Sequence, residues 1–258
     1  MVGFLFGHRF SNSRQALILM QDQPPPDSAN LHGADSPPPA TDGKPAPLTY
    51  NPEIFDVGSI EAARQIILTG EGSTPDERWE SETPYLADAI QNALEITADT
   101  VLIDYGCGIG RMAKELIRRH GCRVIGVDIS NNMRILAPNY VQSSRFLACS
   151  PEMLDMLLAR NFVADAAISI WVLQHCLRPA EDIDRIYRSL APGGGLFVLN
   201  NLYRAVPTKE KYWVNDGLDI KSLLCDRFSM AMEGKPAEDK TPRDLRDIIF
   251  WAKFLKPD

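Results

Sequence analysis

The amino-acid sequence predicts an α/β fold, a doubly wound sheet of seven strands, mostly parallel with the last strand antiparallel, and helices on both faces. Three observations predict it. The apolar run Val101-Leu102-Ile103 leads through Asp104 into glycines at 106, 108 and 110, and a helical pattern follows from Met112. That is the order of a buried strand, a tight turn and a helix start. Strand-like and helix-like segments then alternate from Cys122 to Leu199, which builds parallel strands joined by crossover helices. The chain has 258 residues, 45% hydrophobic and 24% charged, enough for one sizeable core.

Residues 1–50 stand apart. Eight of the 19 prolines fall between Pro24 and Pro47, with triplets at 24–26 and 37–39. Such a segment buries too little apolar surface to offset its ordering entropy, so a disordered Pro-rich extension is expected. A solvated extension is favoured over docking in a partner's aromatic groove, because no x-P-x-x-P repeat is sustained.

Residues 51–258 are expected to form a single domain. Helical patterns run from Ile60 to Leu68 and from Pro84 to Leu94, joined by the polar stretch 69–82. Cys122 to Asp128 is a second strand ending in an acid, and Ser144 to Cys149 a third, followed by a helix from Pro151 to Arg160. Ala164 to Leu173 is apolar throughout, as a strand buried on both faces must be. Apolar residues at helical spacing cover Ala180 to Leu190, Pro192-Gly193-Gly194-Gly195 ends that helix, and Leu196 to Leu199 is the fifth strand. A capped amphipathic helix is expected from near Asp216. Phe228–Met232 and Asp247–Phe254 supply the last two strands, with the charged segment 233–244 as their loop.

The glycine turn points to a bound cofactor, since a bare α-carbon lets backbone approach a ligand. The dinucleotide fingerprint G-x-G-x-x-G fails, because its third glycine position is Arg111. The chain instead reads D-x-G-x-G-x-G from Asp104 to Gly110. Here it resembles the class I S-adenosylmethionine-dependent methyltransferases of small-molecule type, and "LAPGGGLFVL" at 190–199 and "LQH" at 173–175 are similar to that family too. The resemblance implies a Rossmann-like sheet and S-adenosylmethionine as cofactor. It also implies methyl transfer to an O or N nucleophile of a small molecule by in-line displacement.

The family's cofactor roles fall on matching positions. The resemblance implies that Gly106, Gly108 and Gly110 approach the methionine moiety, Asp104 orients its amino group, Asp128 holds the ribose and Ile129 packs on adenine. Ser150 stands where many relatives carry an aspartate for the adenine amino group. Arg111 either reaches the methionine carboxylate or faces solvent from the first helical turn. For Asp128 the residues leave a second reading, a cap on the next helix beside Ser130. The ribose role is favoured by its place at the strand edge.

The resemblance also implies that residues 51–98 form a helical lid, in which Trp79, Glu82 and Tyr85 line a substrate pocket. The alternative is that Trp79 and Tyr85 pack the helix on the sheet. Trp171, Gln174 and His175 leave the fourth strand at its carboxyl edge, and Tyr203 leaves the fifth beside Asn200, Asn201 and Arg204. Trp171 and Tyr203 join the expected pocket. His175 is the first candidate for a general base, ahead of Glu82 and Asp216.

The chain carries 27 basic and 34 acidic residues, net -7, with no basic run, so a small-molecule acceptor is expected and nucleic acid is not. No run of about 20 apolar residues could span a bilayer. The five cysteines are scattered, which suggests a reducing cytoplasm and neither disulfides nor a metal site. Two other readings stay open, a non-catalytic binding or regulatory module and an NAD(P)-dependent oxidoreductase on a related sheet.

Overall fold

A computed structural model describes residues 48–68, 74–211, 213–237 and 247–258. The expected extension lies outside the described residues up to 47. Within it, Thr49 and Tyr50 are tied into the domain: the Lys209 N–H donates to the Thr49 carbonyl at 2.9 Å and Tyr50 bridges Thr208.

Seven strands form one sheet in the order β3-β2-β1-β4-β5-β9-β8. They are β1 (Val101–Tyr105), β2 (Arg123–Val127), β3 (Phe146–Cys149), β4 (Ala164–Ile170), β5 (Leu190–Asn201), β8 (Ser229–Gly234) and β9 (Ile249–Leu255). The first five are parallel, and β9, the last in the chain, runs antiparallel between β5 and β8. Strand order reverses between β1 and β4, and ligands of such sheets bind in the crevice outside the carboxyl ends at that reversal.

Helices cover both faces. On one lie α2 (Pro75–Leu94), α3 (Arg111–His120) and α4 (Asn131–Val141), burying Leu86, Ile90, Met112, Leu116 and Val141 against Leu102, Val124 and Phe197. On the other lie α5 (Pro151–Leu158), α6 (Pro179–Ser189) and α7 (Ile220–Cys225), burying Leu154, Ile183, Ile186, Ile220 and Leu224 against Ile103, Val127 and Val198. A short helix, α1 (Ile60–Ile67), packs with Trp79, Ile109 and Met133 in a third cluster.

Several boundaries differ from expectation, among them β5, which begins at Leu190, so that Pro192–Gly195 lie in the strand instead of ending the helix before it. α2 begins at Pro75, nine residues before the expected start, because Thr74 and Glu77 close a reciprocal capping box with Pro75 in the first turn. Pro84 therefore sits inside the helix. β4 stops at Ile170 because Trp171 turns left-handed, φ 63°. The helix expected from Asp216 starts at Ile220, capped by Asp219, while Asp216 pairs with Arg204. A two-stranded hairpin, β6 (Val206–Pro207) and β7 (Trp213–Val214), follows β5 and was not read from the sequence.

Phe197 is 1% exposed and stacks on Trp251 with centroids 5.8 Å apart. Phe197→Ala should lower stability by about 3–5 kcal/mol, and Thr74→Ala, which opens the capping box, by about 1 kcal/mol. Urea unfolding monitored by circular dichroism reads both.

Candidate active site

The site is built where β1 and β2 leave the sheet. Past Tyr105 the chain turns through Gly106, Gly108 and Gly110 at φ 79°, 53° and 85°, a region that residues with a Cβ rarely adopt. The absent side chains also make room for protein: a Cβ on Gly106 would lie 2.1 Å from Val172, and one on Gly108 2.7 Å from Ile67 of α1. The glycines thus serve a close closure of β4's exit and of α1 upon the loop.

Asp128 joins the two strand ends. Its Oδ2 accepts from the Gly108 N–H at 2.8 Å and its Oδ1 from the Ser130 N–H at 2.9 Å. Ser130, not Asp128, caps α4, through Met133. Burial raises the Asp128 pKa against the opposing pull of those two N–H groups and Arg134. Beside it Ile129 is 54% exposed, an apolar face open to a ligand.

Asp104 is buried at the end of β1, and its Oδ2 has no hydrogen-bond partner. Burial pushes its pKa up to about 7, Arg111 opposing and Asp128 adding to the rise. A buried carboxylate oxygen left unpaired is costly, so this atom fits a cationic donor such as an ammonium group. With the two-point carboxylate of Asp128 and exposed Ile129, the donor set fits an aminoacyl nucleoside.

Arg111 does not face solvent. It is 4% exposed, donates to Glu82 Oε1 at 3.2 Å and lies 5.5 Å over the Trp79 ring. Glu82 is the centre of this cluster: Arg78 reaches its Oε2 at 2.9 Å and the Trp171 indole its Oε1 at 3.1 Å. Burial alone would raise Glu82, yet Arg111 and Arg78 hold it below the usual carboxylate range. Its two carboxylate oxygens are taken by Arg78, Arg111 and Trp171.

The other expected pocket residues separate. Trp79 is 7% exposed and donates to the Tyr140 hydroxyl at 3.2 Å, the packing alternative. Tyr85 turns to the far side and accepts from the Ala237 N–H at 2.9 Å, past β8. Tyr203 is exposed in the turn after β5. Ser150 caps α5 by accepting from the Met153 N–H at 3.2 Å, which engages the hydroxyl expected near adenine.

His175 lies in a 3-10 turn, Leu173–His175, at the β4 exit. The Asn201 N–H donates to Gln174 Oε1 at 3.3 Å, which turns the Gln174 amide nitrogen toward His175 Nε2, also at 3.3 Å. With Nδ1 at 2.7 Å from the Ala205 carbonyl, Nδ1 carries the proton and Nε2 is an acceptor. Burial pushes its pKa down to about 4, with Arg204 adding to the fall. The candidate base is therefore neutral near pH 7, with its lone pair facing an amide.

Several residues here escaped the sequence reading. Asp56, after the 3-10 turn Pro52–Phe55, accepts from the Ser130 hydroxyl at 2.8 Å and the Asn132 N–H at 3.1 Å, latching the N-terminal strap onto the loop beside Asp128. Phe55 and Trp213 flank His175 at 5.5 and 5.0 Å. No short-range pattern marks these positions. Among the described residues no group of three His, Cys, Asp or Glu could hold a metal ion, and no helix is long and apolar enough to cross a membrane.

Residues 103–198 match the family model for a methyltransferase domain. The chain is 37% identical over 106 residues to N-demethylindolmycin N-methyltransferase of Streptomyces griseus, covering 38% of this chain and 43% of that protein. It is 28% identical over 178 residues to the ubiquinone biosynthesis O-methyltransferase of Psychrobacter cryohalolentis, covering 67% and 65%. The chain thus spans less than two thirds of these curated relatives. The N-methyltransferase NodS of Bradyrhizobium japonicum, solved with S-adenosylhomocysteine, shares the fold with TM-score 0.51 at 16% identity, over 70% of this chain and 88% of that one. Residues 103–198 are thus similar to the methyltransferase domain family, and the strand order and glycine loop around them give the fold of the solved methyltransferases.

Proposed function

We propose that the protein transfers a methyl group from S-adenosylmethionine to an O or N nucleophile of a small molecule. The observation that carries this reading is the unpaired, buried Oδ2 of Asp104 beside Asp128 at the strand-order reversal. O- and N-methyltransferases among the relatives support both acceptor atoms. Asp104 would take the amino group, Asp128 the ribose hydroxyls and Ile129 the adenine, with the backbone of 106–110 along the methionine chain. Gly110 opens α3 at its N-terminus, and Arg111 positions that helix through Glu82. Ser150 would offer its hydroxyl to the adenine and Tyr203 its ring to the acceptor.

The cofactor supplies an already electrophilic sulfonium methyl. The chain's own contribution is to hold the acceptor in line with it, an effect that reaches about 7–11 kcal/mol. His175 serves as a hydrogen-bond acceptor in the pocket wall rather than as a proton store.

Four outcomes test this reading. Asp104 retains its proton up to about pH 7, and an ammonium ligand displaces that proton. Calorimetric titration with S-adenosylhomocysteine in buffers of different ionisation enthalpy should show release of about one proton per site at pH 6 and about half at pH 7. Asp104→Asn should abolish the release, and buffer-independent heats would count against the assignment. In the free protein the same group makes stability fall as pH rises from about 4, where the unfolded carboxyl ionises, to about 7, and Asp104→Asn should flatten that stretch.

Asp128→Ala should lose micromolar binding of S-adenosylmethionine while remaining folded. Carbon-13 NMR of labelled imidazoles should show His175 titrating near its lowered value of about 4. A midpoint of 6 or above would restore a base role, for which His175→Gln should cost about 10²- to 10⁴-fold in rate.

A further inference from the structure

Two backbone N–H groups hold the Asp128 carboxylate, that of Gly108 on Oδ2 at 2.8 Å and that of Ser130 on Oδ1 at 2.9 Å. These donors belong to the loops after β1 and β2, and one remote segment touches both loops. Ile67 of α1 stands where a Cβ on Gly108 would lie 2.7 Å from it. Asp56 of the strap accepts on a single oxygen, Oδ1, from the Ser130 hydroxyl at 2.8 Å and from the Asn132 N–H at 3.1 Å. Asp56 is an exposed residue 74 positions before Ser130.

The backbone of Asp128 is held without the strap. Its N–H donates to the Cys149 carbonyl at 3.1 Å, and Arg134 donates to its carbonyl at 2.7 Å and to that of Ile129 at 2.8 Å. Ser130 is where the strap enters. Its hydroxyl accepts from the Met133 N–H at 3.1 Å and gives its one proton to Asp56, so it is fixed from both sides. Asp56 also takes the Asn132 N–H, one of the donors that the first turn of a helix leaves unpaired. A residue from outside α4 thus completes its cap. Asp56 is itself set in place: its N–H donates to the Glu53 carbonyl at 2.9 Å, and the Asn51 and Thr49 N–H groups donate to the Pro207 carbonyl and to Glu210 Oε2, each at 2.9 Å.

Each Asp128 oxygen accepts one N–H and keeps a second lone pair for a ligand. The direction of those lone pairs follows from where the two N–H groups stand. We propose that Asp56 is a positioning residue for cofactor binding: through the Ser130 hydroxyl and the Asn132 N–H it fixes the Ser130 N–H that turns the Asp128 carboxylate toward the ribose hydroxyls. The proposal rests on the methyl-transfer reading and couples the strap to the ribose end of that site. Such coupling is reciprocal, so a cofactor that binds better with the strap docked also holds the strap down.

The full chain, Asp56→Ala and Asp56→Asn would be titrated with S-adenosylhomocysteine by calorimetry at pH 6 in buffers of different ionisation enthalpy, and with adenosine by NMR. Asp56→Ala should weaken S-adenosylhomocysteine about three- to tenfold, the worth of one hydrogen bond. Adenosine, which carries the ribose without the amino acid, should weaken by a similar factor. Proton release, which reports the Asp104 end, should stay at about one per site. Asp56→Asn keeps the accepting oxygen and should recover most of the affinity. Bound S-adenosylhomocysteine should slow hydrogen exchange of the Asn132 amide in the unaltered chain and not in Asp56→Ala. Unchanged S-adenosylhomocysteine affinity in Asp56→Ala, an Asn variant as weak as the Ala one, or a loss that spares adenosine would overturn the proposal. Weaker binding accompanied by loss of the folded near-ultraviolet circular dichroism would make Asp56 a folding residue and overturn it too. Failure of the unaltered chain to bind S-adenosylhomocysteine would overturn the cofactor reading, and this proposal with it.

Discussion

The buried carboxylate of Glu82 is the constraint on which the site depends. It joins α2 to α3 through Arg111, to its own helix through Arg78 and to the exit of β4 through the Trp171 indole. Removing one partner from such a buried ion pair typically costs about 3–5 kcal/mol, because the remaining charge is stranded away from water. Its directional bonds fix where each element ends. Trp171 sits left-handed at φ 63°, with its backbone N–H on the Leu199 carbonyl at 2.8 Å and its indole on Glu82. A bulky residue adopts that conformation only when its surroundings over-determine it. The turn delivers Val172 onto Gly106 and sends Leu173–His175 across the carboxyl edge.

Closure from the N-terminal side uses a different chemistry. The strap at 49–56 is held by backbone pairing to the β6–β7 hairpin and by Asp56 on Ser130 and Asn132. Downstream, α1 sets Ile67 against Gly108. These attachments reach the loops after β1, β2 and β5, which come together only through the parallel sheet. The strap can therefore assemble only on a sheet whose strand order already exists.

The acids of the site divide by partner. Glu82 is bonded by two guanidinium groups and stays below the usual carboxylate range, whereas burial outweighs the pull of Arg111 on Asp104 and of two N–H groups and Arg134 on Asp128, and both are pushed up. Compensated charge marks the scaffold, and uncompensated acidity marks the place proposed for a cationic, hydroxyl-bearing ligand. His175 follows the same logic with the opposite sign, kept neutral by burial and by the Arg204 charge, with Nε2 facing an amide whose orientation Asn201 dictates.

The sequence by itself determined the sheet, the glycine turn and the two acids at strand ends. Hydrophobic runs, turn residues and the alternation of elements are local signals with a fixed period, and Val101–Tyr105 or Ala164–Ile170 can hardly be read otherwise. The start of α2 was legible too, in Thr74-Pro75-Asp76-Glu77, but the proline at 84 obscured it. The tertiary structure alone decided the direction in which each polar side chain turned. Arg111 and Glu82 are 29 residues apart, Trp171 and Glu82 89, Tyr85 and Ala237 152. No periodicity encodes such pairs, because each depends on two helices or loops arriving at the same sheet edge. For the same reason Phe55 and Trp213 carry no mark in the sequence: their meeting with His175 follows from strand order, and strand order is a property of the folded sheet.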